Sequence, residues 1–320
     1  MSITIPLAVI CGPTAIGKTE AGLILAQRWN SEIISADSRQ IYKYMDIGTA
    51  KPGARERNLV KHHFIDSIEP DQSYNAGQFQ KESFPVIESL RMQGKIPIII
   101  GGSGLYIRAA VYGLFSCPAG NATVKADLQK AIEDEGVQTL FHKLTIIDPQ
   151  TAERLHPNDK QRITRALEVY YTTGETISSL QEKHTAKEPL RPTIIFLLHR
   201  PRKELYGRIE QRIDTMIKLG FVDEVRNLLN RGYKKDDPGM QSLGYKILAE
   251  YCEGSFSLSA AVSRLKRDTR HYAKRQITWF RKERNVTIIE ITQDMTSRQL
   301  ADILGEIMTR FLESNNRCMS

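Results

Sequence analysis

The stretch ITIPLAVICGPTAIGKT, residues 3–19, decides the fold. Its first eight residues, 3–10, form an apolar run. A strand buried on both faces reads this way, as in a parallel sheet covered by helices on each side. Gly12-Pro13-Thr14-Ala15-Ile16-Gly17-Lys18-Thr19 then matches G-x-x-x-x-G-K-[ST] at every defined position, after a strand and at the start of a helix over 18–29. At background frequencies, a chain of this length shows such a match by chance on the order of once in a hundred. The glycines let backbone N–H groups wrap a phosphate, the helix N-terminus adds positive potential, and Lys18 supplies a point charge. Thr19 Oγ is a candidate Mg²⁺ ligand. The motif fixes phosphate or pyrophosphate binding and leaves open which molecule carries it.

Outward from this loop, strands and helices alternate. Strands are expected at 32–36 (ending at Asp37), 63–68 and 95–100, with a helix over 76–92 that Pro85 kinks or splits. From about residue 115 the long apolar strands stop. Helices over 123–135 and 159–171, the latter capped by Asn158, are joined by polar connections, and 174–188 reads as a flexible stretch. TIIFLLH (193–199) restores a core strand, followed by helices over 203–219, 222–230 and 243–251, a strand over 286–291 and a helix over 297–312. The expected fold is α/β: a P-loop NTPase-like parallel sheet with helices on both faces, plus an inserted helical subdomain. The core domain takes residues 1–115 and 191–320, and the insertion takes 116–190.

The 320 residues carry 45 Lys+Arg against 37 Asp+Glu, a net charge of +8. Nearly all of the surplus lies in one window. Between Ala260 and Arg284 there are nine basic residues, opposed in sequence only by Asp268 and Glu283. Val262, Leu265, Tyr272, Trp279 and Phe280 recur there at helical spacing, with Thr269 and Gln276 filling the gaps in the stripe. This is a basic amphipathic helix, and the density of its charge favours phosphate contact over an ordinary solvated face. Four scattered cysteines (Cys11, Cys117, Cys252, Cys318) exclude a disulfide scaffold or a zinc ribbon and fit a reducing compartment. No targeting segment or membrane span is read, so a cytoplasmic location is expected.

Other residues carry chemistry whose role spacing alone leaves open. Asp37, in SADSRQIY, is equally suited by spacing to a Walker-B-like Mg²⁺ ligand and to a general base. Ser38, Arg39 and Gln40 sit where an acceptor would pass. Gly101-Gly102-Ser103-Gly104 reads first as a tight turn and second as an anion site. Arg162 and Arg165 share a helix face with Glu168, which suits a surface ion-pair ladder. Arg208 and Arg212 lie on the helix after TIIFLLH, within reach of a phosphate site in a doubly wound sheet.

Taken together, the segments DSRQIY, IGTAKP (47–52), HHFID (62–66), YNAGQF (74–79), GGSGLYI, QRITRALE, QSLGYK (241–246) and KRQITWFRK (274–282) resemble the tRNA dimethylallyltransferase (tRNA isopentenyltransferase) family over most of the chain. Ser103 stands where that family usually has Thr, and Ile16 where it often has Ser; the first keeps a hydroxyl and the second is not a ligand position.

The resemblance implies transfer of a dimethylallyl group from dimethylallyl diphosphate to the exocyclic N6 amine of the adenine 3′ of a tRNA anticodon. The P-loop, elsewhere a nucleotide-binding (ATP-binding) element, would cradle the diphosphate through residues 12–19, with Mg²⁺ on Thr19 and with Thr14 and Arg212 as further contacts. Asp37 would be the base. The segments implied to meet tRNA are Asp37, Ser38, Arg39, Gln40 and Ser103; Gln161, Arg162, Ile163, Thr164 and Arg165; Gln241, Gly244 and Lys246; and Lys274, Arg275 and Arg281. The partners are then a tRNA anticodon stem-loop and dimethylallyl diphosphate, with no membrane, and the protein is expected to be a monomer. Three readings compete: a small-molecule P-loop kinase, a prenyltransferase acting on free adenine nucleotides, and a non-catalytic P-loop RNA-binding protein.

Overall fold

A computed structural model of the chain describes residues 5–114, 121–183 and 188–317. Cys117 and Cys318, with the first two residues of the expected N-terminal strand, lie outside them; Cys11 and Cys252 carry free thiols. The chain divides into two compact units, one formed by Met1–Val111 with Pro189–Ser320 and the other by Tyr112–Glu188.

In the first unit six strands form one parallel sheet: β1 (Leu7–Cys11), β2 (Ile33–Ala36), β3 (His62–His63), β4 (Ile98–Gly101), β5 (Thr193–His199) and β6 (Val286–Glu290), in spatial order β3-β2-β4-β1-β5-β6. β1 is central, with Val9 opposite Ile99 on one side and Ile195 on the other. All five of its residues are buried, which is why the sequence shows no alternation there. The helices of this unit are α1 (Lys18–Arg28), α2 (Ala54–Leu59), α3 (Ala76–Met92) and α4 (Gly104–Tyr112). After the insertion, which holds α5 to α9, come α10 (Arg202–Lys218), α11 (Phe221–Asn230), α12 (Leu243–Cys252), α13 (Leu258–Phe280) and α14 (Ser297–Arg317). α1 packs on α14, and α13 packs on α10 and α12.

The second unit is helical: α5 (Ala122–Glu135), α6 (Val137–Ile147), α7 (Pro149–Glu153), α8 (Lys160–Thr173) and α9 (Ile177–Lys183). Its own core gathers Leu128, Leu140, Leu144, Ala152, Ile163, Ala166 and Leu167. Asp148 ties it together, its carboxylate accepting from the Thr151 N–H at 3.0 Å and the Ser178 N–H at 3.1 Å. These bonds to the charged form hold the Asp148 carboxyl below its ordinary value even though burial pushes it up.

Several expectations are corrected. The strand over 63–68 shrinks to His62–His63, because Phe64 (φ 63°) and Asp66 (φ 52°) turn the backbone into the left-handed region. Pro85 does not split α3: the helix runs unbroken from Ala76 to Met92. Part of the stretch expected to be flexible is α9, and residues 184–187 lie outside the described ones. The cap of α8 is Asp159, whose side chain accepts the Arg162 N–H, and not Asn158. Ile163 is fully buried in the helical core and offers no surface to a partner.

Candidate active site

The turns that follow β1, β2 and β4 meet at the carboxyl edge of the sheet, where ligands bind in open α/β folds. They border a cleft of about 770 Å³ whose other walls come from α10, α12 and α13. The size suits a small-molecule substrate. Gly12 (φ 146°) and Gly17 (φ 107°) take backbone angles that side chains disfavour, which lets the loop 12–19 curl around its own amides. Lys18 Nζ lies across this curl, donating to the Gly12 carbonyl at 2.9 Å and the Pro13 carbonyl at 2.8 Å.

The loop is ringed with cations. Arg208 Nε donates to the Ala15 carbonyl at 3.0 Å, and an Arg212 guanidinium N–H reaches the Thr14 hydroxyl at 3.5 Å. Desolvation pulls the Lys18 ammonium down to about 8, against the opposing pull of Asp37 and with help from Arg212. Burial likewise lowers Arg212, opposed by Asp37 and reinforced by Arg208. Two desolvated cations beside one loop of backbone amides suit the binding of an anion.

Asp37 follows β2 and lines the same cleft. Its Oδ1 accepts the Arg39 N–H at 2.8 Å and the Gln40 N–H at 3.4 Å, which shapes the turn. Ser38 and Arg39 line the cleft as well, and Arg39 also reaches the Pro238 carbonyl at 3.1 Å. The Gln40 side chain borders the cleft with its amide already engaged, by Ser35 Oγ and by the Thr49 and Ala50 carbonyls. Gln241 and Gly244 are cleft residues, whereas Lys246 is exposed and donates to Gln241 Oε1 at 3.2 Å.

GGSG proves to be a clearance device. A Cβ on Gly101 would fall 2.1 Å from the Ala36 carbonyl oxygen, and one on Gly104 would fall 2.1 Å from Trp279 Nε1. The glycines are needed for space, and Ser103 supplies the polar link, its Oγ accepting the Ser38 N–H at 3.0 Å.

The basic helix divides in two. Its first half is neutralised: Arg264 by Glu250, Lys266 by Asp214 and Arg270 by Glu210, acids from other helices, and Arg267 by its own neighbour Asp268. The expectation that the helix presents nearly all of its +7 outward is therefore corrected. Lys274, Arg275, Arg281 and Lys282 are exposed, form no ion pair among the described residues, and concentrate the available charge at the C-terminal end. The apolar stripe is also split: Ala261, Ala273 and Phe280 are core, while Leu265, Thr269, Tyr272 and Gln276 line the cleft. Burial, with Asp37 nearby, pushes the Tyr272 phenol up to about 12.

Residues 40–283 match the family model described as IPP transferase. The chain belongs to the IPP transferase family. Within it, the chain is 43% identical over 293 residues to tRNA dimethylallyltransferase 2 of Geotalea uraniireducens, covering 92% of this chain and 94% of that one. It is 42% identical to tRNA dimethylallyltransferase of Natranaerobius thermophilus, covering 97% and 94%. Among solved structures, the full-length tRNA isopentenylpyrophosphate transferase from Bacillus halodurans superposes with a TM-score of 0.73 at 36% identity over 98% of this chain and 99% of that one. A eukaryotic dimethylallyltransferase solved acting on tRNA gives 0.80 at 26% identity, over 96% and 80%.

Two site residues escaped the sequence reading. Gln276, which by spacing only fills a gap in the apolar stripe, contacts the P-loop itself. Glu224 was not singled out; its carboxylate accepts the N–H groups of Asp46 (3.0 Å), Ile47 (2.7 Å) and Gly48 (3.1 Å) and the Tyr245 hydroxyl (2.5 Å), anchoring the IGTAKP loop of this IPP transferase at the cleft. An acid at the start of a helix was its only local signal.

Proposed function

We propose that this protein is a tRNA dimethylallyltransferase: it moves the dimethylallyl group of dimethylallyl diphosphate onto the N6 amine of the adenine 3′ of the anticodon and releases diphosphate. The observation that carries the reading is one cleft holding a cation-ringed phosphate loop and, facing it, the Asp37 carboxylate. The loop serves the leaving diphosphate, and the carboxylate serves the incoming amine.

The reaction breaks the allylic C–O bond and forms a C–N bond. Charge builds on the departing diphosphate, where Lys18, Arg212 and the loop N–H groups stabilise it. Thr14 adds its hydroxyl. Asp37 orients the amine and takes its proton. The apolar cleft residues Ile213, Met216, Phe221 and Leu265 suit a short prenyl tail and keep water from it. The acceptor adenine enters by leaving its stack. No cluster of three metal-ligating side chains occurs among the described residues. A Mg²⁺ ion here would be held by Thr19 Oγ and otherwise by diphosphate oxygens and water, the mode this cation favours, and would offset leaving-group charge.

The exposed C-terminal cations of α13, together with Arg39, Gln241 and Lys246, form the tRNA-facing side in this reading, and the protein works as a monomer. The helical unit, taken by itself, offers the exposed Gln161 and Arg162, the latter paired with Asp159 at 2.6 Å, whereas Thr164 and Arg165 are half-buried and Arg165 pairs with Glu168 at 2.9 Å.

Incubating the protein with unmodified tRNA, dimethylallyl diphosphate and Mg²⁺, then digesting the tRNA and weighing its nucleosides, tests the proposal. A prenylated adenosine is expected; its absence, or appearance only with free nucleotides, overturns the reading. Neutralising Lys274, Arg275 and Arg281 together should flatten the slope of log K against log salt for tRNA by about 2 to 3. An unchanged slope removes that end of α13 from the interface. The donor site also has a pH signature. Lys18 binds the diphosphate as a cation, and its value of about 8 means that the free protein loses this charge as pH rises through 8. The kcat/KM for the donor should therefore fall above that pH, while kcat, which reports the loaded site, holds further into the alkaline range.

A further inference from the structure

Gln276 has only 6% of its surface exposed, and both ends of its amide are in use. Oε1 accepts the Thr14 N–H at 2.9 Å, and Nε2 donates to the Gly102 carbonyl at 3.0 Å. The partners fix which end is oxygen, since an N–H requires an acceptor and a carbonyl a donor. Packing alone gives no reason for a polar amide here: leucine or methionine would fill the space without a desolvation cost. The proposed chemistry does not use Gln276 either.

What the amide does is join the turns of the site. Thr14 belongs to the phosphate loop after β1. Gly102 belongs to the turn after β4, whose next residue, Ser103, accepts the Ser38 N–H and donates its own N–H to the Ala36 carbonyl at 3.1 Å. Ser38 adjoins Asp37. A continuous run of hydrogen bonds thus leads from the loop that would hold the leaving group to the turn that carries the base, and Gln276 is its one member from outside the sheet edge. Gly102 is cut to fit it, for a Cβ there would lie 2.3 Å from Nε2.

We propose that Gln276 is a positioning residue that holds the phosphate loop and the Asp37 turn in register for transfer. It contacts no reacting atom. The inference rests on the diphosphate and base assignments given above.

The test uses the full chain with Gln276→Met, which keeps length and volume but neither hydrogen bond. Inorganic pyrophosphate should bind about tenfold more weakly by calorimetry. Misplacement of the donor relative to Asp37 should lower kcat about a hundredfold, while KM and Kd for tRNA stay at wild-type values because the exposed cations of α13 are untouched. Gly102→Ala pushes the same amide aside from the opposite bank, should give the same phenotype, and should add little to Gln276→Met in the double variant. Either variant alone decides the matter if the other does not fold. Wild-type kcat and pyrophosphate affinity in the folded variants, tighter pyrophosphate binding, or a parallel loss of tRNA affinity would overturn the inference. Failure of the wild-type protein to bind pyrophosphate would instead overturn the assignment beneath it, and the inference with it.

Discussion

Asp37→Asn is expected to lower prenyl transfer by about 10²- to 10⁴-fold, the range over which a positioned general base contributes. Asparagine is the informative replacement. Its side-chain oxygen can still accept the Arg39 and Gln40 N–H groups, so the turn survives and only the charge is lost. Alanine would remove turn and charge together. The thermal midpoint and tRNA affinity should stay unchanged, and single-turnover quench measurements should place the loss in the chemical step. A near-normal single-turnover rate would sink the assignment of the base. The same variant carries a second signature. Asp37 supports the charge on Lys18, so its neutralisation should move Lys18 further below 8, and pyrophosphate binding followed against pH should weaken at a lower pH than in the wild-type protein.

The second large effect is at Lys18. Lys18→Met keeps the stem and discards the ammonium, and kcat/KM for the donor should fall by about 10²- to 10³-fold, comparable with removal of one preorganised donor from a developing anion. Pyrophosphate affinity should fall with it, because Lys18 acts on the bound ground state as well. The Gly12 and Pro13 carbonyls that Lys18 satisfies in the free protein would lose that partner, so a modest drop in thermal midpoint accompanies the change. Retained donor affinity and rate would show that Arg208 and Arg212 hold the diphosphate without it.

The parallel sheet and the phosphate loop were legible in the sequence because each is local. A buried strand, two glycines at required backbone angles and a lysine fall within thirteen residues, 7–19. The β5 bounds, Thr193–His199, could be read for the same reason. What escaped depends on distant partners. The neutralised half of α13 looked uncompensated because Glu210, Asp214 and Glu250 come from other helices. Phe64 and Asp66 end β3 through backbone angles that neither residue type advertises. Gln276 reads only as a filler of the amphipathic stripe because 262 positions separate it from Thr14. Family resemblance supplied roles for Asp37 and Arg212 that spacing left open, and the geometry adds that both face one cleft.

That separation has a consequence for how the molecule is made. The phosphate loop leaves the ribosome before the residue that braces it, which emerges with α13, after the helical insertion and β5. A nascent or truncated chain lacking α13 carries the whole phosphate motif without Gln276 on its Thr14 amide, and without Trp279 against Gly104. The motif can thus be present long before it is competent. Because domains are synthesised from the N-terminus at about 5–20 residues per second, the phosphate motif precedes its brace by tens of seconds of synthesis.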